Sequence, residues 1–261
     1  MPPPMCGRIA LYTPPARLAR FFQATLADGL DPELDPSWNL GPTRPLVGLS
    51  EEVPHHAPDG TAPVRLLDAY RWGLVPPWSK DLSVGNRLFN ARAETLATKA
   101  SFRGAFAERR LVLPVDGFYE WGPGPAGRRQ PSFFARADGA PVALAGLWEL
   151  WRDPQAPDPA HAWLRSCTVI TTSAGPDMAG IHDRMPVVLE PADLDRWLET
   201  GAADTEELAT LLAPSPGGTL VHHPVDPRVG NVRIDDPHLV DRYEVPTVTQ
   251  PTLGALLDPS A

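Results

Sequence analysis

The middle of the chain alternates short apolar runs with turn-forming residues. The runs are rich in Val, Leu, Phe and Trp and are separated by Gly, Pro and Asp, a pattern that predicts β-strands. The predicted strands lie at 64–70, 111–115, 117–121, 132–137, 142–150, 167–172 and 185–190. Strands are therefore expected to form the centre of the fold.

Helical periodicity occurs on both sides of this region. Leu18, Phe21 and Phe22 share a face in a segment that Gly29 ends, which predicts a helix over 14–29. Further helices are predicted over 93–109 (interrupted at Ser101, a candidate cap), 191–198 and 204–213. Residues 30–62 are predicted to be irregular, and 71–81 an ordered loop. Strands with helices around them predict a single α+β domain.

Composition narrows the class of protein. Among 261 residues the net charge is −9, which argues against a broad basic surface that coats duplex DNA. Two cysteines exclude a disulfide framework and a Cys-rich zinc site. No apolar run is long enough to span a membrane, and the first residues lack the pattern of a signal peptide. We expect a cytoplasmic protein without a membrane partner.

Cys6 is the first candidate for chemistry, because it directly follows a methionine, Met5. As an N-terminal residue it would carry a free α-amine with a pKa of about 7.7–8.0 beside its thiol. Such an aminothiol condenses with an aldehyde to an imine, and the thiol then closes a five-membered thiazolidine ring. The amine can also act as the base for acyl transfer. The alternative is an ordinary small apolar residue near a terminus.

Glu120 and His182 are candidates for proton transfer. Glu120 lies in GFYEW, where burial among aromatic residues would raise its pKa, although an outward-facing glutamate is equally compatible with a strand. His182 begins HDRMP at a junction between elements, where it could bind substrate or simply lie at the surface.

Asn90 and Arg92 lie at a predicted junction between a loop and a helix. Asn90 there would cap the helix. Arg92 at a helix N-terminus is explained best by an anion such as phosphate.

No metal or other cofactor is expected. The neighbouring pairs His55–His56 and His222–His223 would point to opposite sides of a strand, and no zinc spacing occurs. Cys167 lies in an apolar run and is expected to be a buried structural cysteine.

The order of the motifs is more specific than any one of them. In sequence they are MCGR (5–8), NLGPTRP (39–45), RWGLVPPW (71–78), NARAET (90–95), RRLVLPVDGFYEW (109–121), AGLWE (145–149), ITT (170–172), HDRMPVVL (182–189) and VGNVR (229–233). Over residues 5–240 this order resembles the SRAP family, the SOS response-associated peptidases. The resemblance implies an α+β SRAP domain with a mixed, barrel-like β core and flanking helices. It also implies a sensor of abasic sites in single-stranded DNA that crosslinks to them through a thiazolidine and exposes its cysteine by self-processing, with possible lyase activity.

The resemblance assigns roles to particular residues. Cys6 would be the nucleophile and crosslinking residue, and Asn90 would position it. Glu120 would move protons, and His182 would contact the sugar. The expected DNA contacts are phosphate-binding arginines, a pocket threonine and a base-stacking wedge, namely Arg8, Arg92, Arg184, Thr171, Pro42 and Trp78.

The start of this chain departs from the family pattern, in which cysteine follows the initiator methionine. Here residues 1–5 come first, so either translation begins at Met5 or the extension is cleaved. An α-amine held in a peptide bond cannot form a thiazolidine, and the active form is therefore predicted to begin at Cys6. We expect an extension over 1–5, a domain over 6–244 and a loose tail over 245–261.

Other functions remain open at this point. An N-terminal-nucleophile amidohydrolase would use the same amine as a base, and a non-catalytic single-strand-binding module would not need Cys6. A papain-like protease acting on other proteins would need no free amine. The expected partner is abasic single-stranded DNA, bound by a monomer that associates with the nucleoid.

Overall fold

The computed structural model describes residues 6–53, 58, 60–158, 162–201 and 204–246. The predicted extension, residues 247–261 of the predicted tail and the His55–His56 pair lie outside this part. The strands are β1 (Ile9–Leu11), β2 (Thr25–Leu26), β3 (Ser37–Leu40), β4 (Pro45–Glu52), β5 (Val64–Trp72), β6 (Asn90–Arg92), β7 (Arg110–Val115), β8 (Gly117–Pro123), β9 (Arg129–Arg136), β10 (Val142–Arg152), β11 (Trp163–Ser173), β12 (Arg184–Pro186) and β13 (Leu220–Pro224). The helices are α1 (Pro15–Phe22), α2 (Arg103–Glu108), α3 (Leu194–Leu198) and α4 (Thr205–Thr210).

A closed barrel forms the larger part of the fold. Its strands follow the order β11-β10-β7-β4-β5, and a short parallel pairing of β5 with β11 closes the ring. Strands β12 and β6 also pair with β11, while β2 pairs with β5. Leu49, Leu113 and Val169 are fully buried in its core. The predicted α+β class with a mixed, barrel-like core is confirmed.

A second, antiparallel sheet contains β1, the strand that directly follows the segment with Cys6. Its order is β13-β9-β8-β1-β3, so β1 lies between β8 and β3. Ile9 pairs with Phe118, and Ala10 pairs with Gly117. Because Cys6 comes just before β1, this pairing holds it beside β8, the strand that carries Glu120.

The prediction of an irregular segment over 30–62 is wrong, because it contains β3 and β4. Pro and Asp residues obscured the strand pattern. In β4, Leu46–Ser50 are all buried, as expected of a strand covered on both faces. Gly48 is needed there, since a Cβ atom would lie 2.8 Å from a ring carbon of Tyr70.

The predicted helices are too long at several ends. Helix α1 ends at Phe22, because Gln23 adopts a left-handed conformation with φ 54° and returns its N–H to the last turn. Of 93–109, only a 3-10 turn over Ala93–Thr95 and α2 are helical, and Phe102, not Ser101, precedes α2. The strand predicted at 185–190 covers only Arg184–Pro186.

Within the described residues, no helix combines the length and the apolar character that a membrane span needs.

Candidate functional site

Cys6 and Glu120 are in direct contact. The backbone N–H of Cys6 donates a 2.5 Å hydrogen bond to Glu120 Oε1, across 114 positions of sequence. Both residues are buried, with Cys6 0% and Glu120 3% exposed. Cys6 also has a φ of 44°, in the left-handed region that non-glycine residues rarely adopt. The candidate nucleophile is thus held in a strained conformation against a buried carboxylate.

Strand alternation explains why Glu120 faces this site. Side chains two apart on β8 share a face, so Glu120 lies on the same side as Phe118 and Gly122, while Tyr119 lies on the other. Tyr119 packs into a second apolar cluster, with Ala10 and Val225. A Cβ atom on Gly122 would lie 3.3 Å from Ile181, so the loop over 180–183 covers the face that carries Glu120.

Burial sets the protonation of both groups. Desolvation raises the pKa of Glu120 to about 7, although hydrogen bonds from the backbone N–H groups of Cys6 and Trp121 and the charge of Arg129 oppose the rise. Burial, and then the charge of Glu120, raises the pKa of the Cys6 thiol. Near neutral pH the carboxyl group can therefore both take and give a proton, whereas the thiol needs a base to react.

His182 lies beside the same face of β8. Its Nδ1 accepts a 3.1 Å hydrogen bond from the backbone N–H of Arg184 and lies 2.8 Å from Asp183 Oδ1. Burial lowers the pKa of His182 more than the charge of Asp183 raises it. The lowered pKa favours the neutral imidazole near neutral pH.

Asn90 and Thr171 lie on neighbouring strands. Asn90 begins β6 and pairs with Val169 of β11, so its predicted role as a helix cap is wrong. A strand forms here because β11 offers a free edge to residues 90–92. Thr171 is buried, and its hydroxyl donates to the Ala91 carbonyl at 3.3 Å.

Two of the arginines predicted to bind phosphate have guanidinium groups that are already hydrogen-bonded within the protein. The Arg184 guanidinium forms a two-pronged ion pair with Glu94 at 2.8 and 2.9 Å and also donates to the Thr171 carbonyl at 2.7 Å. The Arg8 guanidinium donates to Asn39 Oδ1 and the Val229 and Gly230 carbonyls at 2.9–3.1 Å. Both arginines order loops around the site.

The remaining predicted contacts lie nearer the surface. Trp78 is 63% exposed, and Arg92 is exposed. Pro42 is half-buried and follows Gly41, whose Cβ position lies 3.6 Å from Arg8 Nε. The Pro42 loop therefore borders the segment that carries Cys6, and Trp78 offers a free aromatic face.

Sequence reasoning missed Arg128 and Arg129. They close the hairpin between β8 and β9 and line a cavity together with His182. The signal was present as two adjacent arginines after the turn sequence GPGPAG. Within the described ranges, no cluster of three or more His, Cys, Asp or Glu residues has the geometry to hold a metal ion.

Comparison with known protein families shows which family the chain belongs to. The family described as SOS response associated peptidase (SRAP) matches residues 5–232. The chain belongs to the SRAP family. The match begins at Met5 and includes each of the predicted site residues.

The SRAP chain is similar to named proteins and to solved structures. Abasic site processing protein YoqW of Bacillus subtilis is 32% identical over 241 residues, which cover 92% of this chain and all of YoqW. Abasic site processing protein HMCES of Gallus gallus is 30% identical over 92% of this chain and 79% of HMCES. Among solved structures, a protein from Bacteroides thetaiotaomicron has the same fold, with a TM-score of 0.76, 20% identity and coverage of 92% of this chain and all of that one.

We predict that Glu120 makes the stability of this SRAP domain depend on pH. The folded-state pKa is about 7 against an ordinary 4.5, so its stabilising contribution is complete below pH 4.5 and is lost as pH rises to about 7. At roughly 1.4 kcal/mol per pH unit, the loss reaches about 3 kcal/mol. Glu120→Gln removes this dependence, because the amide does not ionise.

Urea unfolding of the two proteins across this pH range measures the effect. Both are prepared with Cys6→Ala, so that residue 6 keeps its backbone amide. The free energy of unfolding of the Glu120 protein should fall relative to that of Glu120→Gln between pH 4.5 and about 7, then run parallel to it. Parallel curves over the whole range would contradict the expected pKa.

Proposed function

We propose that this SRAP protein captures abasic sites in single-stranded DNA as a covalent thiazolidine through Cys6. The contact between the Cys6 nitrogen and the Glu120 carboxylate carries the proposal, because condensation with an aldehyde takes place on that nitrogen. The names of the relatives YoqW and HMCES, abasic site processing proteins, support it. The capturing form is the domain over 6–244, acting as a monomer in the cytoplasm and at the nucleoid.

The first step frees the Cys6 amine. The Cys6 thiol adds to the carbonyl carbon of residue 5, and Glu120 carries the thiol proton to the Cys6 nitrogen. The C–N bond breaks and leaves a thioester, which water hydrolyses to release residues 1–5 and restore the thiol. The strained Cys6 backbone and the 2.5 Å hydrogen bond from its N–H to Glu120 both favour this bond as the one that breaks.

Capture uses the same two groups. The unprotonated amine attacks C1′ of the ring-opened sugar, and loss of water gives an imine. The Cys6 sulfur then adds to the imine carbon, and the thiol proton passes through Glu120 to the ring nitrogen. One water is lost overall. A carboxyl group with a pKa of about 7 suits both proton transfers, because it is present in both forms at neutral pH.

The surrounding residues bind the strand. His182 offers Nε2 to the sugar hydroxyl, since Nδ1 is held by the Arg184 backbone. Asn90 positions Cys6, and Thr171 lines the pocket. Pro42 and Trp78 form the stacking wedge, which the exposure of Trp78 supports. Arg92 contacts phosphate, while Arg8 and Arg184 keep the surrounding loops in place through their bonds to the protein.

Intact-mass spectrometry after incubation with an abasic oligonucleotide tests the proposal. We expect the free protein to begin at Cys6, and the adduct to weigh the sum of that chain and the DNA minus one water. An undamaged oligonucleotide of the same sequence is the control and should give no adduct.

Two results would overturn the proposal. A chain that keeps residues 2–5 and still forms the adduct would remove the role of the free amine. Glutamine hydrolysis without any adduct would instead support an N-terminal-nucleophile amidohydrolase.

A further inference from the structure

An open cavity of about 530 Å³ lies between the β8–β9 hairpin and the loop over 180–183. It adjoins the candidate site, because His182 forms part of its wall and Gly122 lies two residues beyond Glu120 on the same face of β8. A strand that places a sugar at Cys6 and Glu120 therefore has this cavity next to it.

The cavity has a net positive lining. Arg128 and Arg129 face Asp183, so two guanidinium groups oppose one carboxylate. Both arginines are exposed. Arg129 donates to the Trp121 carbonyl, which fixes its position at the hairpin. Its charge also opposes the rise in the pKa of Glu120 and adds to the fall in the pKa of His182, in accord with its place near both residues.

Glycines give the backbone of a ligand close access. Gly122, Gly124 and Gly180 all line the cavity, and none has a side chain to fill it. Gly124 must stay glycine for the hairpin to close, because a Cβ atom there would lie 2.9 Å from the Arg128 carbonyl oxygen. The tight turn therefore places two adjacent arginines in the cavity wall.

Binding of a DNA strand beside the candidate site requires positive charge there. Its net charge is −9, and two of the arginines expected to bind phosphate, Arg8 and Arg184, are bonded to the protein. A single-stranded DNA backbone carries a negative phosphate at every nucleotide, and arginine binds phosphate through paired N–H groups.

We propose that Arg128 and Arg129 form a phosphate-binding subsite for the DNA strand next to the abasic sugar. The inference rests on the proposed function. The subsite holds the strand while the slower covalent steps proceed, so its loss weakens non-covalent binding without removing the groups that react.

The test is the salt dependence of binding to single-stranded DNA that carries a tetrahydrofuran abasic analogue, which has no aldehyde. Arg128→Gln/Arg129→Gln is compared with Arg17→Gln/Arg20→Gln, which removes the same charge from exposed positions of α1. All proteins carry Cys6→Ala. Each lost phosphate contact should flatten the log–log salt slope by about 0.7 and weaken binding at 50 mM salt by roughly tenfold.

Two further variants separate charge from hairpin structure. Arg129→Lys keeps the charge and should keep the salt slope. A neutral methylphosphonate at the contacted phosphate should weaken binding by the protein with both arginines but not by the double glutamine variant. Equal slopes for the hairpin and α1 variants would overturn the subsite. Failure of the proposed function would appear separately, as a Cys6 protein that forms no adduct with aldehyde-bearing DNA.

Discussion

Replacing Cys6 by alanine should abolish the denaturant-resistant adduct with abasic single-stranded DNA. Alanine leaves no thiol to release residues 1–5 or to close the ring, so neither the free amine nor the thiazolidine forms. A residual adduct below about 1% of wild type is expected, because general catalysis cannot replace the missing nucleophile. A denaturing gel of protein with a labelled abasic oligonucleotide measures the loss directly.

Cys167 supplies the matched control. It is the second cysteine, it is fully buried, and burial raises its thiol pKa far above the ordinary value. Cys167→Ala removes the same atoms from the barrel core, where it pairs with Trp72 and Trp148, away from the Glu120 carboxylate. It should crosslink like the wild type. An adduct that survives Cys6→Ala but not Cys167→Ala would reverse the assignment of the nucleophile.

Glu120→Gln should slow both self-processing and crosslinking by about 10²–10⁴-fold. The amide can still accept the hydrogen bond from the Cys6 nitrogen, but it cannot take a proton. Processing should also lose its pH dependence. In the wild type the rate should rise as pH increases through about 7, because the carboxylate is the form that takes the thiol proton.

The experiment separates self-processing from crosslinking and includes a control for the loss of a buried carboxylate. Crosslinking is measured on chains produced with Cys6 as the first residue, so that a processing defect cannot hide a capture defect. Glu149→Gln is the control, because Glu149 is also a buried carboxylate, but it is paired with Arg109 on the barrel. Its rates should match the wild type in the folded protein. An unchanged rate for Glu120→Gln would exclude Glu120 as the base.

The strands of the barrel were predictable because their apolar runs are local. The boundaries predicted for the strands at 64–70, 111–115 and 142–150 lie within two residues of the observed ones. Strand β4 was missed because the prolines and acidic residues of 30–62 outweighed its short apolar run. Helix ends were also predicted wrongly. Gln23 ends α1 by adopting a left-handed backbone conformation, which a glutamine in the sequence does not predict.

The chemistry of the site was predictable only in part. Motif order singled out Cys6 and Glu120 as candidates, but no local pattern predicts the contact between them across 114 positions. The partner of Arg184 is Glu94, 90 positions away, so the sequence could not reveal that its guanidinium is occupied. The subsite at Arg128 and Arg129 depends on how the hairpin faces the loop over 180–183, which is a tertiary relationship.

The position of β1 has a consequence for biosynthesis. Cys6 emerges from the ribosome more than 100 positions ahead of its partners on β8. At about 5–20 residues per second, the cysteine waits several seconds or more before Glu120 is even made. Neither proton transfer nor the strained backbone exists on the nascent chain. In the proposed mechanism, release of residues 1–5 therefore reports that the domain has finished folding, and only a completed domain acquires a reactive amine at Cys6.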